Sequence, residues 1–113
     1  MLDILRNKLV FALKDLKAID IKTLDVKKFS SFTDLMIIAS GRSGRHVHAL
    51  VNTVSETAKN YGTEVLSTEG HQQGEWVLVD LGDIVVHIMK PPTREFYQLE
   101  KIWSQGNFST EQH

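Results

Sequence analysis

The chain has 113 residues, of which 42% are hydrophobic and 24% charged, values typical of one soluble globular domain with a single core. Its formal net charge of −1 excludes nucleic-acid binding through a strongly basic surface, although it still allows a local basic patch. Because the chain contains no cysteine, disulfides, thiolate metal sites and a cysteine nucleophile are also excluded.

The first part of the chain predicts one helix followed by two strands. Apolar residues recur at three- and four-residue steps from residue 2 to 17, which indicates an amphipathic helix. Residues 19–26 alternate loosely between apolar and polar side chains and predict a strand. The continuous apolar run 35–39 is typical of a strand that is buried on both faces. No apolar run approaches the length of a membrane span and no secretory pattern begins the chain, so the expected location is the cytoplasm.

A second helix is predicted over residues 45–61, between the buried strand and another strand at 63–68. Ser43 is a plausible N-cap, and Gly62 is the expected end of this helix. The strand–helix–strand order suggests a right-handed crossover that joins two parallel strands. The buried stripe of the helix is predicted to be Val47, Leu50, Val51, Val54, Ala58 and Tyr61.

Residues 76–81 and 84–89 predict a β-hairpin, because two β-branched runs are separated by the turn pair Gly82-Asp83. A two-residue turn fixes which side chains share a face. One face is aliphatic and belongs against a core: Val77, Val79, Leu81, Ile84, Val86 and Ile88. The other face is mixed, and it is either covered by a further helix or presented to a partner: Trp76, Leu78, Asp80, Val85, His87 and Met89.

Pro91-Pro92 separates the hairpin from a last predicted helix, residues 93–103, with Thr93 as its cap. The order α-β-β-α-β-β-β-α predicts a single α/β (α+β) domain with a mixed sheet of about five strands. This domain is expected to cover residues 1–104, followed by a flexible tail at 105–113. The core stripe of the last helix is predicted to be Phe96, Leu99, Ile102 and Trp103, and its other side Arg94, Tyr97, Glu100 and Lys101.

A glycine-rich turn, residues 41–45, lies between a buried strand and a helix start, where phosphate groups can bind. A nucleotidyltransferase with such a turn also needs two acids at alternate positions of the following strand, to hold metal ions. Residues 63–68 contain a single acid, and Asp80 and Asp83 lie on either side of a turn. The residues therefore favour an inactive turn, and a nucleotide-binding or nucleotidyltransferase-type enzyme is the alternative.

No metal site or cofactor is expected from the sequence. His46 and His48 lie two apart on a predicted helix, on different sides, and no histidine pair has zinc spacing. Basic residues at 27–28, and Arg42 with Arg45, could contact phosphate groups. Solvated loops are the favoured interpretation, since the net charge is close to zero.

Four segments together resemble the Iojap-like family of ribosomal silencing factors: residues 33–47, 69–70, 76–89 and 94–103. The similarity covers residues 2–104, in order and at the family's spacing. It implies a nucleotidyltransferase-like domain that has lost its catalytic acids, is not an enzyme and needs no cofactor. It also implies binding to the large ribosomal subunit through that subunit's protein fourteen. The bound factor would sterically prevent the small subunit from joining and so repress translation when nutrients are scarce.

The resemblance also implies which residues contact the ribosome, position by position. It leaves open whether ribosomal RNA is touched and whether the protein is a monomer or a homodimer that uses the same hairpin face. The implied contact surface consists of Trp76, Leu78, Asp80, His87, Met89, Arg94, Tyr97 and Glu100, which the pattern of the hairpin and last helix predicts to face outward.

Overall fold

A computed structural model describes residues 2–28, 30–31, 33–70 and 74–98. Within these ranges the helices and strands occur in the predicted order. They are α1 (Leu2–Asp15), β1 (Ile19–Asp25), β2 (Leu35–Ser40), α2 (Gly44–Tyr61), β3 (Ser67–Glu69), β4 (Trp76–Asp80), β5 (Ile84–Met89) and α3 (Pro91–Tyr97). The predicted N-cap Ser43 and the helix end at Gly62 are both confirmed.

The five strands form one mixed sheet in the order β1-β2-β5-β4-β3. β2 and β5 are parallel, and the other three neighbouring pairs are antiparallel. Every residue of β2 is buried, because this strand lies inside the sheet and is covered on both faces. The predicted α+β domain with a mixed five-stranded sheet is therefore confirmed.

The main core lies between one face of the sheet and the two long helices, α1 and α2. The hairpin register is the predicted one, with Val79 opposite Val86 and Val77 opposite Ile88. Gly82 occupies the turn with φ 90°, a conformation that glycine adopts without steric cost. All six aliphatic hairpin residues are buried in this core, together with Leu5, Leu9 and Leu13 of α1 and Val47, Leu50, Val51, Val54 and Ala58 of α2.

The strand predicted at 63–68 is shorter and begins later in the chain. It is β3, which pairs with β4 at the far edge, so that β5 and β4 lie between it and the parallel strand β2. Thr63 still donates to the α2 carbonyl of Ala58, and this bond delays the start of the strand. The polar sequence of β3 suits an edge, whereas the apolar β5 can occupy a central position.

Two predictions about aromatic residues and one about the last helix are wrong. The helix begins at Pro91 rather than Thr93, since a proline at the first helical position has a suitable φ, and Tyr97 is its last residue within the described part of the chain. Phe96 is 79% exposed instead of in the core, and Tyr61 is 36% exposed because it ends α2 beyond the core. Residues 99–113, with Leu99, Glu100, Lys101, Ile102, Trp103 and the predicted tail, lie outside the described residues.

Among the helices that the structure describes, none has the length and apolar character required to cross a membrane.

Candidate functional site

The outer face of the hairpin (Trp76, Leu78, Asp80, Val85, His87 and Met89) is more covered along β5 than along β4. The prediction that the whole face is exposed is wrong for two members, because His87 and Met89 are buried. Met89 belongs to a second apolar cluster with Val26, Met36 and Ile38, on the sheet face opposite the main core. The remaining four residues are half-buried, so they keep surface that a partner could cover.

Trp76 is held in place by two ring contacts. Its indole N–H donates to Nδ1 of His87 over 3.0 Å. Its ring also meets the ring of Tyr97, with the centroids 4.8 Å apart and the planes inclined by 50°. Because Nδ1 of His87 accepts this bond, the imidazole is neutral in this arrangement. The buried histidine therefore orients the tryptophan through a hydrogen bond, and Tyr97 orients it through a ring contact.

Burial lowers the pKa of His87 from its ordinary 6.5 to about 4. An unfolded chain therefore binds a proton at this residue between those two pH values, whereas the folded chain does not. The proton at His87 therefore has little effect on the free energy of unfolding above pH 6.5, and it lowers that free energy as the pH falls towards 4. We expect protonation linked to His87 to lower the free energy of unfolding by about 1 kcal/mol between pH 7.5 and 5.5, measured by urea denaturation.

The control for this pH dependence is His87→Asn, which removes the titrating ring. The variant is expected to be less stable at pH 7.5, because it alters the support of Trp76, but to lose less stability on acidification. The difference between the pH profiles of the parent and the variant gives the contribution of His87 to the free energy of unfolding, separate from that of the other histidines. Parallel profiles for parent and variant over pH 7.5 to 5.5 would contradict the assigned role of His87.

Asp80 and Gly70 contact the two ends of β4, the accessible strand of the outer face. The Asp80 carboxylate accepts the backbone N–H of Gly82 over 2.9 Å and so holds the hairpin turn. Gly70 follows β3 with φ 81°, and a Cβ added there would overlap the backbone carbonyl oxygen of Trp76. Glu69, Gly70, Trp76 and Leu78 line a shallow depression at this point. Gly70 therefore lies against the backbone of the strand that carries the indole.

Replacing Gly70 with Ala is expected to lower the free energy of unfolding by about 1 to 2 kcal/mol, the cost of a left-handed conformation for an L-residue. The overlap with the Trp76 carbonyl adds to this cost and moves the strand that carries the indole. Thermal or urea unfolding measures the change. Gly44→Ala is the matched control, because a Cβ there meets nothing within 4 Å and lies in a helix. Equal stability of the two variants would contradict the prediction.

Arg94 does not face outward as predicted, since it is only 6% exposed. Its Nη1 donates to the Ile19 carbonyl over 3.3 Å and to the Ser40 hydroxyl over 3.0 Å. Its Nη2 lies 3.7 Å from the Asp20 carboxylate. The guanidinium therefore ties α3 to the start of β1 and the end of β2. Its partners are more than 50 residues away in the chain, so no local sequence pattern could have identified them.

The other end of α3 is tied to the hairpin through Glu75. Thr93 donates its hydroxyl to this carboxylate over 3.2 Å, and the Lys90 ammonium lies 3.4 Å from it. The sequence predicted that Thr93 caps its own helix. This prediction is wrong, because the Thr93 hydroxyl bonds across to Glu75 instead. These bonds place Tyr97 beside Trp76, so α3 borders the outer face. Glu100, the remaining predicted contact residue, lies outside the described residues.

Two backbone N–H groups of the glycine-rich turn, those of Gly41 and Arg42, already donate hydrogen bonds within the chain. Arg42 donates its backbone N–H to Nδ1 of His46 over 2.9 Å, and His46 donates its own N–H to the Ser43 hydroxyl over 3.2 Å. Gly41 donates to the carbonyl of Met89 over 3.0 Å. A phosphate cradle needs such N–H groups for its ligand. This geometry supports the interpretation of the turn as a helix start.

His46 also bonds to the Leu16 carbonyl through Nε2, over 2.8 Å, and so links the turn to the end of α1. Lys27 lies 3.9 Å from the carboxylate of Asp25 at the other basic segment. Among the described residues, no group of three His, Asp or Glu side chains is placed to hold a metal ion.

Comparison with known proteins identifies the family. Residues 3–113 match the family described as "Ribosomal silencing factor during starvation". A relative from Chromobacterium violaceum named ribosomal silencing factor RsfS is 48% identical over 92 residues, which are 81% of this chain and 75% of the relative. A mouse relative named mitochondrial assembly of ribosomal large subunit protein 1 is 36% identical over 90% of this chain and 46% of its own length.

A crystal structure of a protein from Chromobacterium violaceum has the same fold. It superposes with a TM-score of 0.89 at 42% sequence identity, over 92% of this chain and 87% of that one. Sequence and structure therefore agree along almost the whole length compared, and the expected resemblance is confirmed. The chain belongs to the family of ribosomal silencing factors, RsfS, which also includes the Iojap proteins.

Proposed function

We propose that this protein binds the large ribosomal subunit through that subunit's protein fourteen and sterically prevents the small subunit from joining. It acts as a docking factor, without catalysis, and represses translation when nutrients are limiting. The family description supports the link to starvation. The name of the mouse relative supports an association with the large subunit.

The observation that carries this proposal is the accessible β4 side of the outer hairpin face. Trp76 and Leu78 are half-buried there, and Tyr97 of α3 is 49% exposed beside them. Partly exposed aromatic residues, already held by contacts within their own chain, lose little conformational freedom when a partner covers them. Such residues are the ones that most often supply the binding energy of protein interfaces.

We infer two roles for the proposed contact residues from their burial. Trp76, Leu78, Asp80 and Tyr97 have surface for direct contact, and the resemblance adds Glu100 to this group. His87, Met89 and Arg94 are buried, so they support the surface from within: His87 holds the indole, Met89 packs beneath it and Arg94 anchors α3.

The test is co-sedimentation of the protein with purified ribosomal subunits. We expect it to travel with large subunits and not with small ones, and to bind isolated protein fourteen. Light scattering should show that it slows the joining of the two subunits when it is bound to the large one first. Equal binding to both subunits, or unhindered joining at saturating protein, would contradict the proposal.

A further inference from the structure

We propose that Phe96 is an additional contact residue of the ribosome-binding surface, and that it docks against aliphatic side chains of a protein. This inference rests on the proposed function and extends it to a residue that the resemblance does not assign. Phe96 lies on α3 next to Tyr97 and is the most exposed large hydrophobic residue that the structure describes. Phe96 therefore extends the proposed contact surface beyond Tyr97 on α3.

The rings of Trp76, Tyr97 and Phe96 form one continuous aromatic row. The centroids of Trp76 and Tyr97 are 4.8 Å apart, and those of Tyr97 and Phe96 are 4.9 Å apart with an edge-to-face angle of 86°. Exposure increases along the row, from the half-buried Trp76 to Phe96 at 79%. A partner that covers Trp76 and Tyr97 therefore reaches Phe96 next.

Phe96 contributes little to the fold, because most of its side chain is already in water. Burial of apolar surface is what stabilises a folded chain, and this ring leaves most of its surface outside. An exposed phenylalanine between polar neighbours gains its burial only when another molecule covers it. Its removal should therefore affect binding while leaving folding unchanged.

The charges near Phe96 favour a protein over nucleic acid as the covering molecule. Lys90 lies 3.4 Å from the Glu75 carboxylate, and the buried Arg94 lies 3.7 Å from Asp20. Glu95 is exposed next to Phe96, so these charged groups, among the residues that the structure describes, are three carboxylates against two cations. Phosphate groups of RNA would be repelled there, whereas an aliphatic protein patch with basic residues around it would be attracted.

The experiment compares Phe96→Ala, Phe96→Leu and Trp76→Ala in binding to purified large ribosomal subunits. Phe96→Ala is expected to weaken binding about tenfold with an unchanged unfolding midpoint. Phe96→Leu is expected to stay within about twofold of the parent, because an aliphatic partner packs well against leucine. Phe11→Ala is the matched control: Phe11 is 72% exposed on α1, on the opposite side of the sheet, and its loss should change nothing.

The outcomes separate this inference from the proposed function. If Phe96→Ala binds like the parent while Trp76→Ala binds weakly, the inference is wrong and the proposed surface stands. If Phe96→Leu loses as much binding as Phe96→Ala, the Phe96 ring stacks on a nucleobase instead. The proposal that a protein covers this position is then wrong. If Trp76→Ala also binds like the parent, the proposed surface itself is wrong.

Discussion

Replacing Arg94 with Ala is expected to lower the free energy of unfolding by about 3 kcal/mol. The variant loses two hydrogen bonds from a charged donor, to the Ile19 carbonyl and the Ser40 hydroxyl, each worth about 1.5 kcal/mol. The buried Ser40 side chain also loses its donor. The ion pair with Asp20 adds little, because that carboxylate is more than half exposed and screened by water. Urea denaturation at neutral pH measures the loss.

Two further variants distinguish this anchoring role from a direct contact with the ribosome. Arg94→Lys should recover only part of the stability, because one ammonium cannot reproduce the guanidinium fork. Glu95→Ala, the exposed neighbouring position, should change stability by less than about 0.5 kcal/mol. If Arg94→Ala instead keeps the parent's stability and loses ribosome binding, the anchoring role assigned to Arg94 is wrong.

The hairpin could be predicted from the sequence because every determinant of its geometry is local. A two-residue turn fixes the register, and the alternation of side chains then fixes both faces. All six aliphatic residues lie in the core as predicted, and Trp76, Leu78 and Asp80 share the opposite face. The helix ends at Ser43 and Gly62 were equally predictable, since each of these residues bonds to backbone groups only a few residues away.

The parts of the site that could not be predicted depend on contacts that are distant in sequence. Burial of Met89 requires Val26, Met36 and Ile38, which other strands bring to the same face. Burial of Arg94 requires β1 and β2, which lie more than 50 residues earlier. The pattern of residues 91–97 shows an amphipathic segment but not which side meets the sheet, and this is why Phe96 and Arg94 were assigned to the wrong sides.

The edge position of β3 also depends on contacts that are distant in sequence. A strand–helix–strand order predicts that the two strands are parallel, and β2 and β3 do run in the same direction. It does not predict that they are neighbours, because the later hairpin can insert between them. The hairpin takes the inner positions since its strands are more apolar and more buried than β3, whose three residues are half-buried or exposed.

Replacing Trp76 with Ala is expected to weaken binding to the large ribosomal subunit about thirtyfold or more. A buried tryptophan at the centre of an interface typically contributes about 2 kcal/mol or more when truncated. Here the indole is already oriented by the His87 ring and by Tyr97, so the parent loses little entropy on binding. Quantitative co-sedimentation over a range of subunit concentrations measures the change.

The same change also removes packing against Met89, so a loss of binding must be separated from a loss of fold. Circular dichroism at the assay temperature gives the folded fraction of Trp76→Ala, and only binding by that fraction is compared. Tyr97→Ala and Tyr61→Ala form a matched pair, because both tyrosines are partly exposed but Tyr61 lies at the end of α2, on the helical side of the sheet. We expect Tyr97→Ala to weaken binding about tenfold and Tyr61→Ala to leave it unchanged. Equal effects of the two tyrosine variants would show that Tyr97 is not a contact residue, whereas parent-like binding by Trp76→Ala would show that binding does not use the outer face of the hairpin.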